Sequence, residues 1–309
     1  MSKKIKIIIN PISGSGRGPR LLKKLLKHLD YSRISAEIKT TAQAGEATYE
    51  AQNLTGIDTL VCIGGDGTVN EVINGLRLTG PKSVPLAILP VGSGNVIAKE
   101  LNLSRNIKEF IRLLDLNKTV SFDLGEVNFP ATSGSGPRYF ISMAGIGFDA
   151  EVACLYHKFR RGVRLQAHLF NYFPLGISTL LRYRPPKISI EVDGRPITDE
   201  ACFIQVANAR SYGGPFVFIP QARPDDGMLD ILWFSGHSRA DIGRYFFNAF
   251  LGNAARCKDA HHLRGKKVVL SALGGSGPPV PVQVDGDCCG YLPVEIGIKP
   301  QAVSMLIPE

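Results

Sequence analysis

No apolar run in the chain approaches the roughly 20 residues that a helix needs to span a bilayer, which excludes a protein held in the membrane by helices. No Gly-Lys-Ser/Thr follows any glycine-rich turn, so a Walker A phosphate loop is excluded; Gly14-Ser15-Gly16-Arg17-Gly18 also lacks the G-x-G-x-x-G dinucleotide spacing. The cysteines (Cys62, Cys154, Cys202, Cys257, Cys288, Cys289) have no C-x-x-C spacing, and a reducing compartment is the expectation; adjacent Cys288-Cys289 reads as packing or reactive bystanders. His28, His157, His168, His237, His261 and His262 show no H-E-x-x-H or other ligand spacing, so core or surface roles are expected for them rather than metal binding. There is no internal repeat, and the only low-complexity tracts, Ala131 to Pro137 and Gly274 to Pro281, read as loops. Met1 to Ile9 is basic and then apolar, too short for a signal peptide core and followed at once by Asn10-Pro11.

What is present is an ordinary globular composition, 44% hydrophobic and 20% charged over 309 residues, which allows one or two domains. The net charge of +9 favours an anionic partner: nucleotide, acidic lipid surface or nucleic acid.

The centre of the reading is Gly64-Gly65-Asp66-Gly67-Thr68-Val69-Asn70-Glu71, after the apolar run Leu60-Val61-Cys62-Ile63 and before Val72-Ile73-Asn74-Gly75-Leu76. A buried strand that ends in glycines and turns helical gathers bare N–H groups at a helix N-terminus, where the dipole favours an anion. Asp66 in the middle suits holding Mg²⁺ or accepting a proton, since a lone carboxylate would repel phosphates. A tight turn with Asp66 as a cap is the plainer alternative.

The first third alternates strand and helix as a parallel α/β sheet does. Lys4 to Ile9, Ser35 to Lys39, Leu60 to Ile63 and Leu86 to Leu89 read as strands, and Arg20 to Leu29, Gly45 to Asn53 and Val96 to Leu101 as helices. Glycine-rich turns follow the first, third and fourth strands, on the edge where open α/β sheets bind ligands. Past Asp123, short β-rich segments (Val120 to Val127, Tyr139 to Met143, Lys187 to Val192, Cys202 to Ala207, Leu229 to Phe234, Val268 to Leu270, Val282 to Val284) suggest an antiparallel sandwich. Helical insertions interrupt it at Asp149 to Leu181 and Arg239 to Leu251, and a domain boundary falls near Leu116 to Asp123.

Pro224-Asp225-Asp226-Gly227-Met228-Leu229-Asp230 is an acidic turn that reads either as a solvated β-turn or as a hard-cation site built from a carboxylate and turn carbonyls. Val284-Asp285-Gly286-Asp287 reads either as a hairpin turn or as the carrier of a catalytic base. Between Leu155 and Arg184, basic residues alternate with aromatics, a texture that suits an anionic membrane surface; RNA binding and a solvated basic helix are the competing readings.

The ordered set Asn10-Pro11, Thr41 before Gly45, Gly64-Gly65-Asp66-Gly67-Thr68, Pro90-Val91-Gly92-Ser93-Gly94-Asn95, Gly145-Ile146-Gly147-Phe148-Asp149-Ala150, Asn208 with Gly213-Gly214, Asp226-Gly227 and Asp285-Gly286-Asp287 resembles the diacylglycerol kinase catalytic-domain family. It is similar in particular to the soluble bacterial lipid kinases related to sphingosine kinases, over nearly the whole chain. The resemblance implies an N-terminal open α/β ATP-binding domain, residues 1–122, with 300–309 returning to it through a last strand at Val303 to Ile307. It implies a C-terminal antiparallel β-sandwich domain, 123–299, and ATP in the cleft between the two. By match, Asn10, Thr41, Gly64, Gly65, Asp66, Gly67, Thr68, Val69, Asn70 and Ser93 line the nucleotide. Arg223 and Met228 by carbonyl and Asp226 by side chain hold Mg²⁺, and Asp287 is the proton acceptor, with Asp66 competing for that role. Ser93 stands where Thr is common, Val96 where many bacterial members have Asp, and Asp287 where Glu is frequent.

The expected activity is transfer of the γ-phosphoryl group of ATP to a lipid hydroxyl, diacylglycerol first, by a cytoplasmic protein peripheral at an anionic membrane, with Mg²⁺ as cofactor and no nucleic acid partner. The alternatives are an NAD kinase, which shares the Gly-Gly-Asp-Gly turn, and a non-catalytic lipid or nucleotide sensor. The identity of the lipid and the oligomeric state are not written in the sequence.

Overall fold

The computed structural model describes residues 3–29, 34–78, 84–130, 136–162, 172–210, 216–274 and 277–309, without the side chains of 159–162, 172, 173 and 199. The chain forms two compact units, Met1–Phe122 with Gln301–Glu309, and Asp123–Pro300.

In the first unit β1 (Lys3–Ile9), α1 (Ser13–Leu29), β2 (Ile34–Thr40), α2 (Glu46–Gln52), β3 (Thr59–Gly64), α3 (Asp66–Leu78), β4 (Leu86–Pro90), α4 (Val96–Glu100) and α5 (Ile107–Leu116) follow in order. The strands pair in parallel as β2-β1-β3-β4. Strands covered on both faces read as unbroken apolar runs, and Leu60 to Ile63 and Leu86 to Leu89 are buried throughout. The exception inside β1 is Lys6, 1% exposed, whose Nζ donates to Glu50 Oε2 at 2.7 Å and to the Glu50 carbonyl at 2.8 Å.

Helix α5 was not among the sequence expectations, which passed from Val96–Leu101 to the domain boundary. Ile107, Phe110, Leu113 and Leu114 form its buried face, and Asn106 caps it by accepting the Lys108 N–H at 2.9 Å. The signal was local, a cap followed by helical periodicity.

The chain passes into the second unit along β5 (Thr119–Asn128) and continues through β6 (Arg138–Phe140), β7 (Met143–Ile146), α6 (Phe148–Gly162), α7 (Tyr172–Leu180), β8 (Ile188–Val192), β9 (Arg195–Ala201), β10 (Phe203–Ala207), β11 (Leu229–Phe234), α8 (Arg239–Phe250), β12 (Ala260–Gly265), β13 (Lys267–Ala272), β14 (Pro281–Val284), β15 (Asp287–Tyr291) and β16 (Val294–Leu306). One antiparallel sheet runs β12-β11-β10-β7-β14-β15; in a second, the first half of β16 pairs with β13, β13 with β8, and β8 with β9. Val127, Phe140, Ile146, Ile190, Ile204, Ile231, Leu270 and Ile296 fill the space between them, the sandwich core that the β-rich segments foretold. Beyond Gln301 the last strand belongs to the first unit, where Met305 pairs in parallel with Leu86 of β4.

One reading of the cysteines is corrected. Cys288 is not a bystander: it forms a disulfide with Cys154, Cα atoms 4.8 Å apart, across 134 residues of sequence. Spacing rules look for local pairs, whereas this one exists because α6 packs on β14 and β15. Cys62 and Cys202 are buried free thiols, as apolar surroundings suggest.

Candidate active site

Parallel pairing places the C-terminal ends of β1, β3 and β4 side by side, so the turns that follow them meet at one edge of the first unit. The Asn10 N–H donates to the Ile63 carbonyl at 3.2 Å, and the Val91 N–H to the Gly64 carbonyl at 3.0 Å. Gly65 and Gly92 touch backbone to backbone; a Cβ on Gly92 would lie 2.7 Å from the Gly65 Cα, which is why neither turn has room for a side chain there.

The polar residues expected at this edge are brought together. Asn10 Nδ2 donates to Thr68 Oγ1 at 3.3 Å, and Thr41 lies after β2 with its N–H on the Ile9 carbonyl at 2.9 Å. Thr68 is buried against Gly64, Asn70 accepts from Asn74 Nδ2 at 2.9 Å through its carbonyl, and Ser93 is exposed at the turn after β4.

Asp66 opens α3, and its side chain reaches the next turn: Oδ1 accepts the Val96 N–H at 2.6 Å, at the N-terminus of α4. Burial pushes this carboxyl above the ordinary aspartate value, and the amides around Asn95, Val96 and Ile97 oppose that shift. Asp66 therefore acts as a cap on the neighbouring helix, through the Val96 N–H.

In the second unit the acidic turn is tied to its surroundings. Asp123 Oδ2 accepts the Gly227 N–H at 2.6 Å, the Asp123 N–H donates to the Pro224 carbonyl at 2.7 Å, and Asn208 Nδ2 donates to the Asp123 carbonyl at 2.9 Å. Asp226 Oδ1 accepts the Met228 N–H at 3.1 Å, while its Oδ2 is ion-paired with Arg264. Arg223 projects outward and pairs with Asp225 at 3.2 Å. As a donor set for Mg²⁺, Arg223, Asp226 and Met228 do not fit in this arrangement, because their one carboxylate is paired with a guanidinium.

The two aspartates of the β14–β15 turn have separate jobs. Asp285 accepts the N–H groups of Ile141, Ser142 and Met143, each at 3.0 Å, and fixes the turn against the start of β7. Asp287 is half-exposed at the start of β15, and His157 Nε2 lies 2.8 Å from its Oδ1.

Asp149, from the Gly-Phe-Asp-Ala stretch, is buried; its Oδ2 accepts from Gln205 Nε2 at 2.8 Å and Gln283 Nε2 at 3.0 Å, which anchors the start of α6 on β10 and β14. Arg160 and Arg161 lie on α6 with side chains outside the description; Arg164, Phe170, Gly213, Gly214 and residues 131–135 lie outside the described residues altogether.

Sequence reasoning missed Asp123, His157 and Arg264. Asp123 stood in plain view at the domain boundary, and its position five residues before Asn128 on β5 gave no hint that it braces a turn 104 residues away. His157 and Arg264 show only through tertiary contact.

Residues 4–127 match the Diacylglycerol kinase catalytic domain family, and residues 142–307 match the YegS C-terminal NAD kinase beta sandwich-like domain family. A diacylglycerol kinase of Staphylococcus carnosus is 26% identical over 313 residues, 100% of this chain and 96% of that one. A diacylglycerol kinase of Mycobacterium tuberculosis is 28% identical, with 99% of this chain and 96% of the other covered. The solved structure of a candidate diacylglycerol kinase from Bacillus anthracis superposes with a TM-score of 0.75 at 25% identity, covering 99% and 97% of the two chains. Yeast NADH kinase complexed with NADH shares the fold at 12% identity, TM-score 0.56, covering 99% and 84%.

Proposed function

The chain belongs to the diacylglycerol kinase family and is a lipid kinase, and from that premise we propose that it transfers the γ-phosphoryl group of ATP to the free hydroxyl of a diacylglycerol, giving phosphatidate and ADP. The observation that carries the reading is the meeting of glycine turns at one sheet edge, where Gly65 and Gly92 touch backbone to backbone beside the start of α3, a helix N-terminus of the kind that favours phosphate.

Asn10, Thr41, Gly64 to Asn70 and Ser93 bind the nucleotide, which arrives as MgATP. The lipid oxygen attacks the γ-phosphorus, the bond from that phosphorus to the bridging oxygen breaks, and ADP leaves. The lipid proton passes to the Asp287 carboxylate. Asp285 cannot take this role, because backbone amides already hold its carboxylate. Phosphoryl transfer asks mainly for positioning and charge neutralisation, which suits glycine turns and one base. The protein works at the surface of an anionic membrane, held by the basic and aromatic stretch from Leu155 to Arg184; no helix among the described residues is long and apolar enough to cross it.

The test is incubation with MgATP and dioleoylglycerol in phosphatidylglycerol vesicles, read by mass spectrometry. Phosphatidate is the expected product. NADP⁺ from NAD⁺ would favour the NAD kinase alternative, and ligand binding with no ATP turnover would favour a sensor. Asp287→Asn should lower kcat by about 10²–10⁴-fold while the KM for ATP stays near normal; retention of most of kcat would move the base to Asp66.

A further inference from the structure

Helix α6 meets strand β15 through two adjacent connections. Cys154 is bonded to Cys288, and one helical turn on, His157 Nε2 lies 2.8 Å from Asp287 Oδ1. Residues three apart share a helix face, and Asp287 and Cys288 are neighbours on the strand, so covalent bond and hydrogen bond act on the same two segments. The start of α6 is itself fixed, because buried Asp149 receives both glutamine amides from β10 and β14. The near end of β15 is fixed as well, by the three amides on Asp285.

Asp287 is the one residue in this frame with a carboxylate oxygen to spare. Its side chain is 49% exposed and that of His157 36%, and among the described residues Oδ2 has no hydrogen-bond partner. A carboxylate attached by a single-methylene side chain turns freely about two torsions unless something holds it. A ring N–H on Oδ1 restrains that rotation and leaves Oδ2 to accept a proton.

We infer that His157 is the positioning residue for Asp287, and that the Cys154–Cys288 disulfide sets the spacing of the pair. This rests on the reading of Asp287 as the base that accepts the lipid proton. His157 donates from Nε2 in every step and exchanges no proton with substrate; the proton goes to Asp287 Oδ2. The device suits an aspartate in particular, whose short side chain has a fixed reach and depends on accurate placement. Misplacement of a catalytic group by about 1 Å can cost on the order of 10²-fold.

The experiment is a double-mutant cycle on kcat with MgATP and dioleoylglycerol vesicles, with melting temperature as the control for folding. His157→Ala should lower kcat by about 10- to 10²-fold with the KM for ATP unchanged. His157→Gln, which keeps an N–H donor of similar reach but no titrating ring, should recover most of the loss. On the Asp287→Asn background, His157→Ala should have almost no further effect. The Cys154→Ser/Cys288→Ser pair should lower kcat less than His157→Ala does, and likewise not on the Asp287→Asn background. Additive losses in the cycle, or a His157→Gln variant as impaired as His157→Ala, would overturn the inference. The two readings separate cleanly: a wild type with no turnover defeats the lipid kinase base, whereas the contact is read without turnover from the His157 ring ¹⁵N chemical shifts, which should move in Asp287→Asn. Unmoved shifts overturn the contact itself.

Discussion

The Asp66 carboxylate accepts the backbone N–H of Val96 at 2.6 Å, so the turn after β3 is pinned to the turn after β4. The fit is close: a Cβ on Gly94 would lie 2.7 Å from Asp66 Oδ2. Stability and chemistry can then be separated at one position. Asp66→Ala removes a charged acceptor from a helix start and should destabilise by about 1.5–3 kcal/mol in denaturant melts. Asp66→Asn keeps an oxygen for Val96 and should melt close to wild type while losing turnover and weakening nucleotide binding. Near-normal turnover in Asp66→Asn would take the carboxylate out of the mechanism and leave it a cap.

Gly94→Ala tests the same contact from the other side. The added methyl has to displace the Asp66 carboxylate, and a raised KM for ATP is expected with only a small change in melting temperature. A variant with unchanged KM would mean that the nucleotide does not depend on how these two turns meet.

The pH dependence of stability has a definite sign at Asp66. Burial raises this carboxyl above the ordinary aspartate value of 3.8, so the folded chain binds the proton more tightly than the unfolded chain does. Its contribution to stability therefore falls as pH rises from 3.8 through the folded pKa and is constant above. Carbon-13 NMR should place the Asp66 midpoint above 3.8, and Asp66→Asn should flatten that part of the stability curve. A midpoint below 3.8 would mean that the Val96 amide outweighs burial.

How much of this was legible in the sequence follows from where each signal lies. The parallel strands were readable because burial on both faces writes them as apolar runs such as Leu60 to Ile63, and the glycine turns because only glycine allows the contact of Gly65 with Gly92. The sandwich was readable from its core strands, whereas β9, β12 and β15 were not, since Arg195 to Ala201, Ala260 to Gly265 and Asp287 to Tyr291 have little apolar alternation in their sequence. Asp226 and Asp287 were found as acidic turn residues, but their partners Arg264 and His157 lie 38 and 130 residues away. No local rule connects such pairs.

The basic stretch gives a prediction about location. Replacing Lys158, Arg160, Arg161 and Arg164 with Gln should weaken binding to phosphatidylglycerol vesicles, by about 1 kcal/mol for each charge that reaches the surface. Sedimentation at low and high salt reads it directly, because screening should shrink the difference between wild type and variant. Equal sedimentation at low salt would remove the stretch from membrane binding.

The final prediction concerns Arg264, whose guanidinium pairs with Asp226 and lies 3.7 Å from Asp230 Oδ1, an oxygen that His262 Nε2 also approaches at 2.7 Å. A divalent cation and a guanidinium compete for the same carboxylates. With Arg264 present the acidic turn is neutralised without metal, and the melting temperature of the wild type should be indifferent to millimolar Mg²⁺ in the absence of ATP. Arg264→Gln leaves Asp226 and Asp230 with turn carbonyls and without the guanidinium that pairs with them, a set closer to what a hard cation requires. This variant should be less stable in EDTA and should gain about 1 kcal/mol on adding Mg²⁺ to several times its Kd, by mass action on the folded state. For a chain of this size that is a rise of roughly 2–4 °C in Tm. A wild type that already shows the same Mg²⁺-dependent rise would mean that Arg264 yields its place to the cation, and the turn would then be a metal site of the kind its sequence resembles.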